Sequence, residues 1–335
     1  MQTYQKPEIL RGRRILTDLI EREGDGMVCT MPEPWELVRK QVDFEPMRLC
    51  MVTDMATETL EALERDLPDC DVVYGIGGGS SADTAKFVAM KRDCRLVQVP
   101  TIVSVDAPLT DAVGVRVEGR VRYIGQIWAD VVAVDYELIQ QAPGRLNRAG
   151  CGDLLSIHTA LHDWRLAADA GESRYDEGIA EQAGACLRRV IAAADEIGQV
   201  SEAGIDAIID EYCQEVRLCV AFGGSRPEEG SEHLFAYNHE YRTGERMPHG
   251  ELVGAGIYAM SVVQDNDPDG IRGVMDRCRL AYRLANNGMT RDELVETLRT
   301  LNDFRRENPR ETFYSVLDTV EIDEDLIERI VEGLR

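Results

Sequence analysis

"DVVYGIGGGSSADTAK", Asp71 to Lys86, decides the architecture of the N-terminal half. An apolar run ends in glycines, and a stretch of helix-forming residues follows at once. Gly75, Gly77, Gly78 and Gly79 leave little side chain between the backbone and anything that approaches it. Glycines placed there let the chain come close to a pyrophosphate, and the N–H groups of the helix start, from about Ser80, point at the anion. Ser80 or Ser81 is positioned to cap the helix and donate to phosphate. Lys86 adds a cation further along the same helix. A tight turn without ligand is the plain alternative, since the pattern is neither GxGxxG nor a Walker A sequence. The stretch holds more glycine than a turn requires, so phosphate cradling is expected.

Three further segments flank this one: "GMVCTM" (Gly26 to Met31), "RLCMVTD" (Arg48 to Asp54) and "RLVQVPT" (Arg95 to Thr101). They are apolar almost throughout, which suggests parallel strands covered on both faces. "ATETLEALERDL" separates two of the strands and has apolar residues at helical spacing. "GVRVEGRVRYIG" alternates like a hairpin with "EG" at its turn, and "DVVAVDY" reads as another strand. After Pro143 the character changes. "RLNRAGCGDLLSIHTALHDWRLAADA", "YDEGIAEQAGACLRRVIAAADEIG" and "EAGIDAIIDEYCQEVRLCVAF" are helical, as are "RDELVETLRTLNDF" and "DEDLIERIVEGL". The expectation is an α/β, Rossmann-like domain over residues 1–145 and an all-helical domain over 146–335.

Composition limits the function. The chain has 335 residues and 44% hydrophobic content, enough for two cores. A net charge of −24 argues against nucleic acid or an anionic membrane as partner. The nine cysteines are scattered without a CxxC pair, so neither a disulfide framework nor a zinc knuckle is expected. "MQTYQKPEIL" lacks the apolar run of a signal peptide, and "LVGAGIYAMSVV" (Leu252 to Val263) is too short to span a bilayer. A soluble, cytoplasmic protein is expected. Lysine is scarce beside arginine, which suits a high-salt organism or a GC-rich genome equally.

Three of the five histidines lie in "SEHLFAYNHEYRTGERMPHGE", Ser231 to Glu251. His233 sits near the start of one helix and His249 opens another, joined by a polar loop that lets antiparallel elements bring both rings together. The best carboxylate to complete a facial set is Asp153, in "AGCGDLLS" at the start of the first long helix. Two histidines and one carboxylate leave positions open, as catalytic zinc and non-haem iron sites require. Each residue taken alone is more often a surface residue or a cap. His158 and His162 form an i, i+4 pair, but His158 lies about 140° around the helix from Asp153. Both are assigned to packing, and His239 is read as a bystander.

Taken together, these motifs resemble the iron-containing alcohol dehydrogenase and dehydroquinate synthase-like superfamily, and within it the glycerol-1-phosphate dehydrogenases. The stretches that carry the resemblance are "GIGGGSSADTAK", "VPTIVSVDAPLTDAV", "VVAVDYELIQQAPGRLNRAGCGDLLS", "HDWRLA", "GGSRPEEGSEH" and "PHGELVGAG", in the family's order, over roughly residues 25 to 265. The tail "NPRETFYSVLD" matches the same branch. The resemblance implies the dehydroquinate synthase-like fold and a divalent metal (zinc, with iron or nickel as alternatives) on Asp153, His233 and His249. It implies an NAD or NADP phosphate site at Gly77, Gly78, Gly79 and Ser80, with Asp83 and Lys86 nearby. Thr101 and Ser104 belong to the nicotinamide side, and Asp106 in "SVDAP" faces the substrate. The implied partner is a small polyol or ketone, phosphorylated in this branch, handled by a homo-oligomer.

The nucleotide half is compact beside the family's, with only 74 residues before Gly75, and the chain departs from the family in three further places. Tyr237 stands where the family often has a second histidine. "SRPEEG" replaces "SRPASG", adding Glu228 and Glu229. Ile157 occupies a position that carries a fourth ligand in some members. The implied activity is metal-dependent NAD(P)H oxidoreduction between a polyol (phosphate) and its ketone, with the substrate held between the domains. A sugar-phosphate cyclase of the dehydroquinate synthase type and a non-catalytic nucleotide-binding relative are the alternatives. The cyclase reading is weakened by Asp153 where that branch has Glu, and by the absence of lysine from the helical half.

Overall fold

The computed structural model describes residues 3–117, 120–244, 247–309 and 313–335. The chain divides into two compact units, Gln5–Asn147 on one hand, and Arg148–Arg335 with the segment ending at Tyr4 on the other.

In the first unit, strands β1 (Glu8–Gly12), β2 (Met27–Thr30), β3 (Arg48–Met51), β4 (Val72–Gly77) and β5 (Arg95–Pro100) alternate with helices α1 (Leu16–Glu23), α2 (Pro32–Val38), α3 (Thr57–Arg65) and α4 (Gly79–Arg92). The hairpin strands β6 (Ala112–Val117) and β7 (Arg120–Gln126) follow, then β8 (Val131–Asp135) and α5 (Tyr136–Gln141). Six strands form one all-parallel sheet in the order β1-β8-β5-β4-β2-β3. Every residue of β2, β4 and β8 is buried, as a sheet covered on both faces demands. Val28, Tyr74, Ile76, Val97, Val99 and Val131 share a core with Trp35 and Leu138 from the helices. β1 is a strand that the sequence reading did not find. "EILRG" lies at a sheet edge, half-buried, and has neither an apolar run nor a strict alternation. β6 and β7 pair antiparallel, as the alternation suggested, and the "EG" turn itself, Glu118 and Gly119, lies outside the described residues.

α6 (Gly144–Ala149) spans the boundary between the units. The second unit is helical: α7 (Cys151–Asp169), α8 (Glu177–Ala192), α9 (Ala194–Gln199), α10 (Glu202–Phe222), α11 (Ser231–Thr243), α12 (His249–Gln264), α13 (Pro268–Arg277), α14 (Leu284–Asn287), α15 (Arg291–Glu307) and α16 (Glu324–Gly333). Caps written in the sequence set several boundaries. Ser201 accepts from the Gly204 N–H at the start of α10, and Thr290 forms a capping box with Glu293 on α15. α11 stops at Gly244, in the left-handed conformation at φ 67°. α12 is buried on all sides past its first residue, so it forms the centre of this unit, packed on α7 and α11.

Candidate active site

The metal-ligand candidates meet in the helical unit. Asp153 lies in the first turn of α7, His233 in the first turn of α11, and His249 begins α12. One donor atom from each lies within 4.8 Å of the others. His249 Nε2 stands 3.6 Å from Asp153 Oδ1, and the two histidine rings are 5.4 Å apart between centroids. The helix starts can come this close because glycines adjoin the ligands. A Cβ on Gly152 would lie 2.1 Å from the Gly250 carbonyl oxygen, and one on Gly250 would lie 1.9 Å from that of Ala149. α7 and α12 therefore touch backbone to backbone, beside Asp153 and His249.

The polar chemistry of this cluster suits a cation. Asp153 Oδ1 is buried and has no hydrogen-bond partner, an arrangement that is costly unless a positive group supplies one. His233 Nδ1 lies 2.8 Å from Glu232 Oε1 and donates to it, so Nε2 is the nitrogen that would give up its proton to an ion. Glu232 is itself fully buried and fixed: its carboxylate also accepts from the Gly230 N–H at 2.6 Å and the Thr159 hydroxyl at 2.6 Å. In the metal-free chain, burial pushes the Asp153 carboxyl up to about 7, with Glu229 adding to the effect and His233 opposing it. Burial works against charge on His233, but the Glu232 hydrogen bond and the carboxylates of Glu229 and Asp153 outweigh it and raise the ring to about 10. The cluster thus holds protons where an ion would displace them.

A second buried carboxylate braces the site. Asp163, in α7, accepts the Ser231 N–H at 2.7 Å through Oδ2 and the Val316 N–H at 2.7 Å through Oδ1. Burial, reinforced by Glu232, raises it to about 6. It ties the start of α11 to the C-terminal segment. Arg226, also buried, donates to the Tyr314 carbonyl at 2.9 Å and stacks on Phe313. The sequence reading missed Glu232 and Asp163 as site components. The available signal was an acidic residue directly before a candidate ligand histidine.

The remaining histidines are engaged elsewhere. His158 Nε2 meets the Asn266 carbonyl at 2.7 Å, and buried His239 meets Thr297 Oγ1 at 3.1 Å. Burial lowers His162.

The dinucleotide-site candidates lie in the first unit, at the C-terminal ends of β4 and β5. Gly77 pairs with Pro100 across the sheet, and the Thr101 N–H donates to the Gly77 carbonyl at 3.0 Å. The chain runs from β2 outward to β3 and from β4 inward to β5, so the strand order reverses beside this loop. Open α/β sheets bind ligands at such a point. Gly77 takes φ +146°, and a Cβ there would lie 2.4 Å from Ser81 Oγ. Gly78 caps α4, which receives no side-chain hydrogen bond at its N-terminus. Neither serine acts as the cap: the helix already starts at Gly79, placing Ser80 and Ser81 in the first turn, one exposed and one buried. The N–H groups there remain available to an anion. Ser104 and Asp106 are half-buried in the segment after Thr101.

Lys86 is not the open cation the sequence suggested. It is 1% exposed, and its Nζ lies 2.7 Å from Asp83 Oδ1 and 2.5 Å from the Ala112 carbonyl. The pair sits i, i+3 on one helix and fastens α4 to β6.

The sequence profile of the family described as "Iron-containing alcohol dehydrogenase" matches residues 35–143. The glycerol-1-phosphate dehydrogenase [NAD(P)+] of Hyperthermus butylicus is 30% identical over 306 residues, covering 88% of this chain and 86% of the relative. The enzyme of that name from Methanothermobacter thermautotrophicus is 28% identical over 340 residues, covering 99% and 96%. Among solved structures, glycerol dehydrogenase from Schizosaccharomyces pombe matches with a TM-score of 0.72 at 18% identity, covering 99% of this chain and 91% of its own. Sulfoacetaldehyde reductase from Bifidobacterium kashiwanohense, solved with NAD+, matches at 0.65 and 17%, covering 100% and 99%. These structures share the fold. The chain belongs to the iron-containing alcohol dehydrogenase family, in its glycerol-1-phosphate dehydrogenase group. It is an enzyme, an oxidoreductase of the dehydrogenase class.

Proposed function

We propose that the chain is a metal-dependent, NAD(P)H-linked dehydrogenase that reduces dihydroxyacetone phosphate to glycerol 1-phosphate. The observation that carries this reading is the Asp153, His233, His249 cluster with its unpartnered carboxylate oxygen, in a chain related to enzymes of that name. These three residues would hold the ion, with zinc preferred for a set of two imidazoles and one carboxylate. When bound, the ion supplies a Lewis acid for the carbonyl oxygen and the dinucleotide supplies the hydride. Glu232 fixes the His233 tautomer and ring orientation, so that Nε2 faces the cluster. In the other unit, Gly77, Gly78, Gly79 and Ser80 take the dinucleotide phosphates, and Thr101 and Ser104 the nicotinamide side. Asp83 and Lys86 brace the helix beneath them. Asp106 orients a substrate hydroxyl. The enzyme acts as a homo-oligomer in the cytoplasm, a reducing compartment that suits nine free cysteines. Among the described residues no helix is long and apolar enough to cross a membrane.

The test pairs metal analysis of wild type and Asp153→Ala with nicotinamide absorbance in the presence of dihydroxyacetone phosphate. Stoichiometric metal that disappears in the variant, together with oxidation of NADH or NADPH by the wild type, is the expected result. Metal without nicotinamide oxidation would overturn the reaction, and full activity in Asp153→Ala would overturn the site.

A further inference from the structure

A further carboxylate lies beside the ligand cluster. Glu229, in the loop before α11, receives the Tyr237 hydroxyl at 3.1 Å on Oε1 and the Ser225 hydroxyl at 2.7 Å on Oε2. Tyr237 lies one turn along α11 from His233, with the rings 6.0 Å apart between centroids. The loop is pinned to α7 as well: the Ser156 hydroxyl, one turn after Asp153, reaches the Glu228 carbonyl at 2.5 Å. Glu229 is thus held from two sides, close enough for its charge to act on both Asp153 and His233. It is half-buried where Glu232 is fully buried, and through Tyr237 it sits beside His233, so it is the partly exposed carboxylate next to the cluster.

A fixed carboxylate in that position accepts hydrogen bonds and repels anions. A phosphoryl group brought beside it would meet like charge in a partly desolvated setting, where repulsion is stronger than in water. A hydroxyl group would instead find an acceptor. We infer that Glu229 is a specificity-determining residue, reserving its flank of the metal cluster for a hydroxyl of the substrate and excluding a phosphoryl group from it. This rests on the proposed reaction, and it fixes the polarity of the substrate: the hydroxyketone end lies at the cluster and the phosphate points away from Glu229.

The test uses the intact, zinc-loaded chain and its Glu229→Gln and Glu229→Asp variants. Glutamine keeps an acceptor for Tyr237 and a polar partner for Ser225 while removing the charge; aspartate keeps the charge. Binding of inorganic phosphate is followed by calorimetry, and kcat and KM are measured for dihydroxyacetone and dihydroxyacetone phosphate. Phosphate is expected to bind Glu229→Gln at least tenfold more tightly than wild type, and Glu229→Asp within twofold of it. KM for unphosphorylated dihydroxyacetone should rise several-fold in Glu229→Gln, with kcat changed less. Equal phosphate affinity in wild type and Glu229→Gln would overturn the inference, as would parallel losses in both variants, which a merely structural role would give. If neither ketone is turned over by the wild type, the proposed reaction fails, and the calorimetric ratio still decides what Glu229 does.

Discussion

His233 and Glu232 are neighbours in sequence and partners in space: Nδ1 of the imidazole lies 2.8 Å from Oε1 of a carboxylate that no solvent reaches. The ring of a candidate ligand is therefore oriented by the residue before it.

Glu232→Gln tests that dependence. The amide nitrogen can donate to Thr159 Oγ while its oxygen still accepts from His233 and Gly230, so the fold should persist. Removing the charge makes His233 a poorer donor toward a metal, and the affinity should fall about 10–100-fold. Competition with a chelator measures this. Unchanged affinity would reduce Glu232 to a packing role.

The protonation of the cluster predicts opposite pH responses with and without metal. Asp153 is raised to about 7 and His233 to about 10, so the folded, metal-free chain binds both protons more tightly than the unfolded chain does. Stability from these groups is present at low pH. It is lost as pH rises, across the interval from the ordinary carboxylate range to about 7 for Asp153, and from the ordinary histidine range to about 10 for His233. An ion needs both groups deprotonated, so its stabilising effect grows over the same interval. Melting of chelated and zinc-loaded protein at about pH 5.5 and about pH 8.5 should show a small increment at the lower pH and a larger one at the higher. Equal increments would contradict the proton-holding picture.

Gly152→Ala removes no donor atom but forces α7 away from α12, since the new methyl would meet the Gly250 carbonyl. Overpacking of this kind costs about 1–3 kcal/mol. It should also weaken zinc binding, because Asp153 and His249 separate with their helices. Calorimetric melting and zinc titration together check this, and zinc affinity equal to wild type would refute it.

Lys86→Met strands the half-buried Asp83 carboxylate and should destabilise the protein by about 3 kcal/mol, whereas the double variant Asp83→Leu/Lys86→Met should lose far less. Urea unfolding of the two variants separates a buried pair from a cofactor contact. If the single and double variants are equally destabilised, the pair is not what holds α4 to β6.

Much of this was legible in the sequence, for identifiable reasons. β2, β4, β5 and β8 read clearly because a parallel sheet buried on both faces writes continuous apolar runs. β1 did not, because an edge strand of five residues, two of them charged, leaves no such run. The three ligand candidates were visible by residue type and helix position. Glu232 and Asp163 were not, since an acidic residue on a helix ordinarily faces solvent. Their burial depends on Thr159, Gly230, Ser231 and Val316, brought together only by folding. Lys86 misled for the same reason, although its i, i+3 spacing from Asp83 offered a clue. The capping serines failed because glycine, free of a Cβ, starts α4 earlier.

The division of the chain at Asn147 bears on heredity as well as chemistry. Every candidate dinucleotide contact is encoded before that residue and every candidate metal donor after it. A single crossover in the gene near that codon would exchange one candidate set without interrupting the other. Asp106, the candidate substrate contact, would travel with the dinucleotide set, so the boundary at Asn147 parts the metal donors from the rest of the site rather than reductant from reaction.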